Sequence, residues 1–216
     1  MATAEITPMI DERSEGIVLL DIQWSTYCRI VRDLERQSMR LTYDNEVLEI
    51  VSPSRLHEYA KQWLGTMVTI LAEEYGVDFI FGGSTTLKRR KLKKGLEPDQ
   101  CFWVANCRRM TGRKSLNLAK DPPPDLVIEV DITSSSLDRM KIYAAMGVPE
   151  IWRYDGASFF VYALEPSQKY HRVFRSSAFP EFPIALIESN METRSDETDL
   201  QAIRRFRKLV RERAAK

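Results

Sequence analysis

Histidine and cysteine are scarce in this sequence, and their scarcity limits the metal and redox chemistry that the chain can carry out. The 216 residues include two histidines and three cysteines. Two imidazoles are too few for a typical histidine-rich zinc site. The cysteines Cys28, Cys101 and Cys107 show no CxxC pairing, so neither a disulfide framework nor a zinc knuckle is indicated. We therefore expect a reduced, cytoplasmic protein.

Several motifs of nucleotide and acyl chemistry are also missing. No GxxxxGK[ST] loop occurs, and Gly82-Gly83 lacks the GxGxxG spacing of dinucleotide-binding turns. No GxSxG elbow is present for a catalytic serine. No stretch approaches the roughly 18–20 consecutive apolar residues of a membrane helix, and residues 1–16 lack the basic start and apolar run of a signal peptide. Nucleotide-driven, serine-hydrolase and membrane functions are therefore disfavoured.

The composition is that of a globular protein with a substantial core. Apolar residues make up 44% of the chain and charged residues 29%, with a formal net charge of +1. A chain of this length fits one domain with terminal additions. We divide it into an N-terminal segment, residues 1–18, expected to be disordered, a central domain over residues 19–195 and a basic C-terminal helix over residues 196–216.

Positive charge is concentrated in two places despite the neutral total. Residues 88–94 hold six cations, and a second basic zone runs from Arg204 to Lys216. The six cations of the first cluster are Lys88, Arg89, Arg90, Lys91, Lys93 and Lys94. Such clusters can neutralise nucleic-acid phosphates, because charge contacts are local and screened beyond about 10 Å. A solvated hairpin tip and a solvated helix face are the alternative interpretations.

Hydrophobic periodicity predicts an α/β fold, with a mixed β-sheet flanked by helices, an N-terminal helix and hairpin, and a C-terminal helix. Residues 105–124 are polar and end in three prolines, which predicts a surface loop. The predicted helices cover residues 24–37, 55–75, 136–146 and 199–216. The predicted strands cover residues 39–43, 47–51, 77–81, 85–87, 96–104, 125–132, 150–154, 158–164 and 170–174.

Two of the predicted strands carry acids among apolar residues. Side chains alternate along a strand, so Asp99 shares a face with Glu97, and Glu129 shares a face with Val127. If the strands are neighbours, Asp99 and Glu129 meet, and a hard divalent cation with oxygen ligands would offset their repulsion. The alternative is that these acids cap strand ends or pair with arginine and lysine. The metal hypothesis fails if the two side chains face apart, or if each is neutralised by its own arginine.

Four segments together resemble a known family. GLEPDQCFWV (95–104), PPDLVIEVDITSSS (123–136) and IYAAMGVPEIWRYDG (142–156) resemble the Uma-type group of restriction endonucleases, within the PD-(D/E)XK nuclease superfamily. The likeness extends to SPSRLHE (52–58) and covers roughly residues 20–190. Each segment is short, but four in the right order are specific. The resemblance implies a restriction-endonuclease-like fold and an endonuclease that hydrolyses DNA phosphodiester bonds.

The resemblance also assigns roles to individual residues. It implies that Asp99 and Glu129 are catalytic metal ligands, helped by the backbone carbonyl of Val130, and that Glu58 is the acid contributed by a helix. The implied cofactor is Mg²⁺ or Mn²⁺, and the implied partner is DNA, with the 88–94 cluster on backbone phosphates. A homodimer would supply the two sites that cutting both strands requires.

The catalytic lysine departs from the superfamily pattern. The position two residues after Glu129 holds Asp131. Members of the group commonly place a lysine four residues before a helical tyrosine; here that tyrosine is Tyr143, and the position holds Arg139, with Lys141 nearby. Arginine can stabilise an anionic transition state but is a poor proton acceptor. If a lysine must activate water, Lys141 or Lys88 has to do so.

Three functions therefore stay open at the level of the sequence. The first is an active Mg²⁺-dependent endodeoxyribonuclease. The second is a DNA-binding or assembly module that keeps the nuclease fold with weak or no activity. The third is a metal-dependent hydrolase of a smaller phosphodiester. The intact Asp99 and Glu129 pair favours the first, whereas Arg139 and Asp131 favour the second.

Overall fold

Two β-sheets with surrounding helices organise the chain in a computed structural model, which describes residues 16–35, 37, 39–132, 137–191 and 197–215. The helices are α1 (Trp24–Asp33), α2 (Arg55–Tyr75), α3 (Cys107–Met110), α4 (Arg139–Met146), α5 (Ala185–Glu188) and α6 (Asp199–Ala214). The strands are β1 (Gly16–Leu19), β2 (Arg40–Asp44), β3 (Val47–Val51), β4 (Ile80–Gly83), β5 (Leu87–Arg89), β6 (Lys94–Leu96), β7 (Gln100–Trp103), β8 (Leu126–Val130), β9 (Glu150–Tyr154), β10 (Phe159–Leu164) and β11 (Tyr170–Val173).

The mixed α/β prediction is confirmed, but the strands form two sheets rather than one. The first sheet has the order β1-β3-β2-β6-β5 and the second the order β11-β10-β9-β8-β7-β4. Neighbouring strands are antiparallel except β8 and β9, which are parallel and joined through α4. This crossover is the usual way to connect parallel strands. It places the start of α4 beyond the end of β8.

The predicted strand over residues 96–104 is divided between the two sheets. Its first residue, Leu96, ends β6 of the first sheet, and residues 100–103 form β7 of the second. Glu97-Pro98-Asp99 forms the passage between them. Proline has no N–H to donate to a ladder, so it favours a break in pairing at this point. The break lets Asp99 stand where the sheets meet.

Local signals fix the elements that surround this junction. The β2–β3 hairpin turns at Asn45 and Glu46, both with positive φ, as its Asp-Asn-Glu sequence predicted. Helix α2 begins after Ser54, whose Oγ accepts the N–H of His57 at 3.2 Å. It ends at Gly76, which has a left-handed backbone conformation. The predicted hairpin and long helix are therefore confirmed.

The core lies on both faces of β8, as expected for a strand of continuous apolar residues. Leu126, Ile128 and Val130 pack in one cluster with α2 and α6. Val127 faces the other way and packs with residues of α4. Helix α6 lies on α2, where Arg207 and Arg211 pair with Glu74. These two arginines of the C-terminal basic zone therefore link α6 to α2 through ion pairs.

Several boundaries differ from the predicted ones. Strand β1 pairs with β3, so residues 16–18 of the expected disordered segment belong to a sheet, and residues 1–15 lie outside the described part. Helix α1 begins after Gln23 and ends at Asp33. The polar loop over residues 105–124 contains α3 and buries Leu118. Residue 136, where the predicted helix over residues 136–146 starts, lies outside the described residues, and α4 is capped by Asp138.

Long apolar helices are not part of this architecture. None of the helices described above has the length and hydropathy needed to cross a bilayer. Cys28, Cys101 and Cys107 are all free thiols. Both findings agree with the composition.

Substituting Gly95 by alanine should destabilise the fold. The added Cβ would overlap the hydroxyl of Tyr27 and lie 2.7 Å from its Cζ. Tyr27 is fully buried and stacked on Tyr43, so it has little room to move, and we expect a loss of about 1–3 kcal/mol in the free energy of unfolding. Urea denaturation followed by tryptophan fluorescence measures this loss.

Tyr27→Phe supplies the control, because the Tyr27 hydroxyl is buried without a hydrogen-bond partner. Its removal should leave stability unchanged or slightly higher. Adding Tyr27→Phe to Gly95→Ala should restore part of the lost stability. Additive effects of the two substitutions would show that the overlap is not the cause.

Candidate active site

The structure brings Asp99 and Glu129 together at the junction of the two sheets. Gln100 of β7 pairs with Ile128 of β8, so the residues just beyond this pair are neighbours. The Asp99 Oδ2 atom accepts the N–H of Val130 at 2.7 Å. Asp99 is 3% exposed and Glu129 is 4% exposed. Two buried carboxylates this close need positive charge beside them.

Arg40 of β2 supplies one positive charge from the other sheet. Its Nη1 lies 2.8 Å from Asp99 Oδ1 and 3.4 Å from the carbonyl oxygen of Val130. Its Nη2 lies 3.5 Å from Glu129 Oε2. The three groups that the sequence predicted as ligands of one cation therefore surround one guanidinium. The Arg40 side chain keeps 17% of its surface exposed.

Arg139 at the start of α4 supplies the second positive charge. Its Nε donates to Glu129 Oε2 at 2.9 Å, and its Nη2 donates to Glu129 Oε1 at 2.8 Å. The guanidinium also donates to the backbone carbonyl of Glu97 at 2.7 Å and to the Thr42 hydroxyl. A bidentate pair with further acceptors is the favourable geometry for buried arginine. Arg139 thus holds Glu129 in place.

Tyr143 completes the surroundings of Glu129. Its hydroxyl, one helical turn after Arg139, donates a hydrogen bond to Glu129 Oε1. Burial raises the pKa of Tyr143, and the negative charge of Glu129 raises it further. The phenol therefore keeps its proton and remains a donor at physiological pH. Tyr143, which marked the position of the family's lysine in the sequence, is itself part of the site.

Of the two conditions that would exclude a metal site, one is absent and the other is present. Asp99 and Glu129 do not face apart. Each carboxylate nevertheless has an arginine, Arg40 for Asp99 and Arg139 for Glu129. The observed geometry is therefore the one under which the metal hypothesis was expected to fail, and a metal ion can bind here only if one of the two arginines leaves its carboxylate. In the part of the chain that the structure describes, no three histidine, cysteine or acidic side chains cluster as a metal site.

His57 is a member of the site that sequence reasoning did not assign. Its Nε2 lies 3.2 Å from Asp99 Oδ1 and 2.6 Å from Arg40 Nη1. Its Nδ1 lies 3.4 Å from Glu58 Oε1. The scarcity of histidine and the place of His57 inside SPSRLHE were available signals. Arg40 gave no comparable signal, because only the tertiary structure brings β2 against β8.

Glu58, the expected helical acid, lies at the edge of the site. Its carboxylate pairs with Lys61 at 2.6 Å, and its side chain is 44% exposed. It reaches Asp99 through His57. The structure therefore places Glu58 next to the centre, where its carboxylate contacts His57 and Lys61.

The charge of Asp99 is fixed by its neighbours. Burial alone would raise the pKa of this carboxyl, but the positive charge of Arg40, with His57 also close to it, outweighs burial and lowers the pKa to about 2. Asp99 is therefore ionised at neutral pH. Glu97 behaves differently: burial raises its pKa, although the Thr86 hydroxyl donates to it at 2.9 Å.

The two candidate lysines lie in different places. Lys141 is 79% exposed at its side chain and pairs with Asp138 at 3.0 Å. Lys88 lines a cleft of 810 Å³ together with Glu97 and Thr86. Asp131, at the superfamily lysine position, pairs with Arg153. Of the two lysines, Lys88 is the one beside the residues that flank the site.

The 88–94 cluster is partly paired within the chain. Lys93 pairs with Glu46 at 3.1 Å, and Lys94 pairs with Asp44. Arg89 donates to the carbonyl of Leu118 at 3.2 Å. The remaining cations, Lys88, Arg90 and Lys91, are exposed at the hairpin.

Substituting Arg139 should destabilise the fold, because the negative charge of Glu129 would then be buried without its arginine partner. We expect Arg139→Ala to lower the free energy of unfolding by about 3–5 kcal/mol. Adding Glu129→Gln removes the stranded charge and should recover a large part of the loss. Chemical denaturation of wild type, both single variants and the double variant gives the coupling energy. Equal instability of Arg139→Ala with and without Glu129→Gln would contradict the assignment.

Comparison with known proteins identifies the family of the chain. The sequence profile of the family described as "Uma2: Putative restriction endonuclease" matches residues 24–189. No curated protein matches the chain. The matched region covers most of the chain and contains the passage between the sheets at Asp99, strand β8 and the start of α4. The chain belongs to the Uma2 family of restriction endonuclease-like proteins.

Proposed function

We propose that the chain is a Mg²⁺-dependent endodeoxyribonuclease that hydrolyses DNA phosphodiester bonds at the Asp99 and Glu129 centre. The observation that carries this proposal is the convergence of Asp99 Oδ1, Glu129 Oε2 and the Val130 carbonyl oxygen on one cationic group, at 2.8, 3.5 and 3.4 Å from the Arg40 guanidinium. Family membership supports the same reaction class.

The donor set fits a hard divalent ion. Asp99 Oδ1 is fully buried and makes no hydrogen bond of regular geometry, although Arg40 and His57 lie close to it. Carboxylate and carbonyl oxygens are the ligands that Mg²⁺ and Mn²⁺ prefer, and two or three protein oxygens suffice because Mg²⁺ retains waters. The chemistry that such an ion supplies is polarisation of a phosphate oxygen and a lowered pKa of bound water.

Arg40 has to release Asp99 for an ion to bind there. Its partial exposure at the site supports such a movement, since its head group can turn toward solvent or toward a phosphate. Arg139 can stay in place, because Glu129 Oε2 has a second lone pair beside the one that accepts from Arg139 Nε. Asp99 and Glu129 would then hold the ion while Arg139 orients Glu129.

Arginine at this position restricts the roles that the chain's residues can take. Arg139 remains protonated, so it can stabilise the negative charge of a phosphorane-like transition state but cannot accept a proton from water. Of the two candidate lysines, Lys88 is the one that lines a cleft together with Glu97. Lys88, Arg90 and Lys91 would contact backbone phosphates, which position DNA without reading its sequence.

A nuclease-fold DNA-binding or assembly module without activity is the second candidate. The observation in its favour is that both carboxylates are already neutralised, Asp99 by Arg40 and Glu129 by Arg139. In such a centre the charges of both carboxylates are balanced without an ion.

We further propose that the protein acts in the cytoplasm, in line with its free thiols. If it cuts both DNA strands, we propose that two copies assemble to supply the two sites.

Conversion of supercoiled plasmid to open-circular or linear DNA separates the two candidates. We expect cutting in the presence of Mg²⁺ or Mn²⁺, and a loss of at least about 100-fold in Asp99→Asn and Glu129→Gln, because each removes a ligand charge. Asp131→Asn is the matched control, since Asp131 pairs with Arg153 outside the site. DNA retention without cutting by the wild type would support the binding module instead.

Competition between Arg40 and the ion can be measured directly. If both occupy one position, Arg40→Gln should bind Mn²⁺ more tightly than wild type, by roughly tenfold, which corresponds to about 1.4 kcal/mol. Isothermal titration calorimetry with Mn²⁺ gives the dissociation constants. Arg153→Gln provides the control, because it removes an arginine that pairs with a neighbouring acid. Weaker Mn²⁺ binding by Arg40→Gln would mean that Arg40 does not compete.

A further inference from the structure

The sheet face that carries Glu129 continues outward across two more strands. Glu129 of β8 is in register with Arg153 of β9, and Arg153 is in register with Phe160 of β10. Residues in register on adjacent strands share a face. Their in-strand neighbours Ile128, Trp152 and Phe159 point to the opposite, buried side. Glu129, Arg153 and Phe160 therefore form one row, and Phe160 lies roughly 10 Å from the strand of Glu129.

An exposed cation and two aromatic rings lie at the outer end of this row. Val173 of β11 pairs with Val161, so Phe174, the next residue, lies beside Phe160. The Arg172 guanidinium is 4.5 Å from the ring centroid of Phe160 and 5.4 Å from that of Phe174. Phe174 is 80% exposed. We call Phe160, Arg172 and Phe174 the outer platform.

Packing within the chain does not account for the outer platform. Phe174 is the most exposed of the large hydrophobic side chains that are described, so it adds little to the core. Arg172 is exposed and forms no salt bridge among the residues that the structure describes. A single exposed apolar residue is common. Two rings that both contact one arginine, on the sheet face that also carries Glu129, form a more specific surface.

We infer that the outer platform stacks the bases of single-stranded DNA that extends from the Asp99 and Glu129 centre. This inference rests on the proposed function and adds the form of the substrate. Aromatic faces stack on any base, and arginine contributes both charge and a planar surface. Complementarity with a polyanion and continuity with the carboxylate row favour a nucleic-acid strand as the occupant. The bases of an intact duplex are stacked on each other, so a melted or single-stranded segment has to reach the platform.

Binding of a fluorescently labelled oligothymidine tests the inference without any cleavage. Fluorescence anisotropy in Ca²⁺ or EDTA gives the dissociation constant. We expect Phe174→Ala to weaken oligothymidine binding roughly tenfold, since one stacked base is worth about 1–3 kcal/mol. Arg172→Gln should weaken it and also reduce the dependence of affinity on salt. Binding of a blunt duplex of equal length should change much less in Phe174→Ala.

Phe81→Ala is the matched control. Phe81 is 60% exposed on β4, at the opposite edge of the same sheet. Its loss should leave oligothymidine affinity within about twofold of wild type, because a ring stabilises a bound base only where it lies on the path of the strand. Equal weakening by Phe81→Ala and Phe174→Ala would overturn the inference, as would wild-type protein that binds duplex but not oligothymidine.

The outcomes also separate this inference from the proposed function. Plasmid cutting that is unaffected by Phe174→Ala, with no affinity for oligothymidine, would remove the stacking platform and leave the nuclease. Tight oligothymidine binding that depends on Phe174, without metal-dependent cutting, would support the platform and remove the nuclease. A thermal melt of Phe174→Ala should match that of wild type, since the side chain is largely in solvent.

Discussion

Two buried carboxylates and two guanidinium groups meet where the sheets of this protein join, and the rest of the structure depends on their balance. Arg40 comes from the first sheet, Asp99 from the passage between the sheets, Glu129 from the second sheet and Arg139 from the following helix. Each charge would be costly to bury alone. Because the four come from separate elements, neutralising them also fixes how those elements sit against one another.

The same balance defines the chemical question. Carboxylates paired with arginines are neutralised without a metal ion. A metal-dependent hydrolytic centre requires one of the two guanidinium groups to move away from its carboxylate, so that an ion can bind there. Arg40 and Arg139 differ in this respect. Arg40 is partly exposed and lies 2.8 Å from Asp99 but 3.4–3.5 Å from the Val130 carbonyl and Glu129. Arg139 is buried, pairs with Glu129 through two hydrogen bonds, and also donates to Thr42 of β2 and to the Glu97 carbonyl. A partly exposed arginine beside a buried, bidentate one is compatible with both of the functions proposed above.

Much of the fold was predictable because its signals are local. The N-terminal hairpin, the helix over residues 55–75 and the strand that carries Glu129 each depend on signals from neighbouring residues, and all three are confirmed. The division of residues 96–104 between two sheets was not predicted, since alternation reads the same whether a strand continues or changes partner. The match of four ordered segments to one family was likewise readable from the sequence and is confirmed.

The sequence by itself selected Asp99 and Glu129 as the candidate pair, because ordered motifs resembling one family contain them, and strand alternation would make them meet if their strands were neighbours. Only the tertiary structure decided which charges surround them. Arg40 and His57 are distant from β8 along the chain, and their approach depends on how one sheet and α2 pack against the other. Charge neutralisation is a property of three-dimensional neighbours, so no local pattern of residues could have specified it.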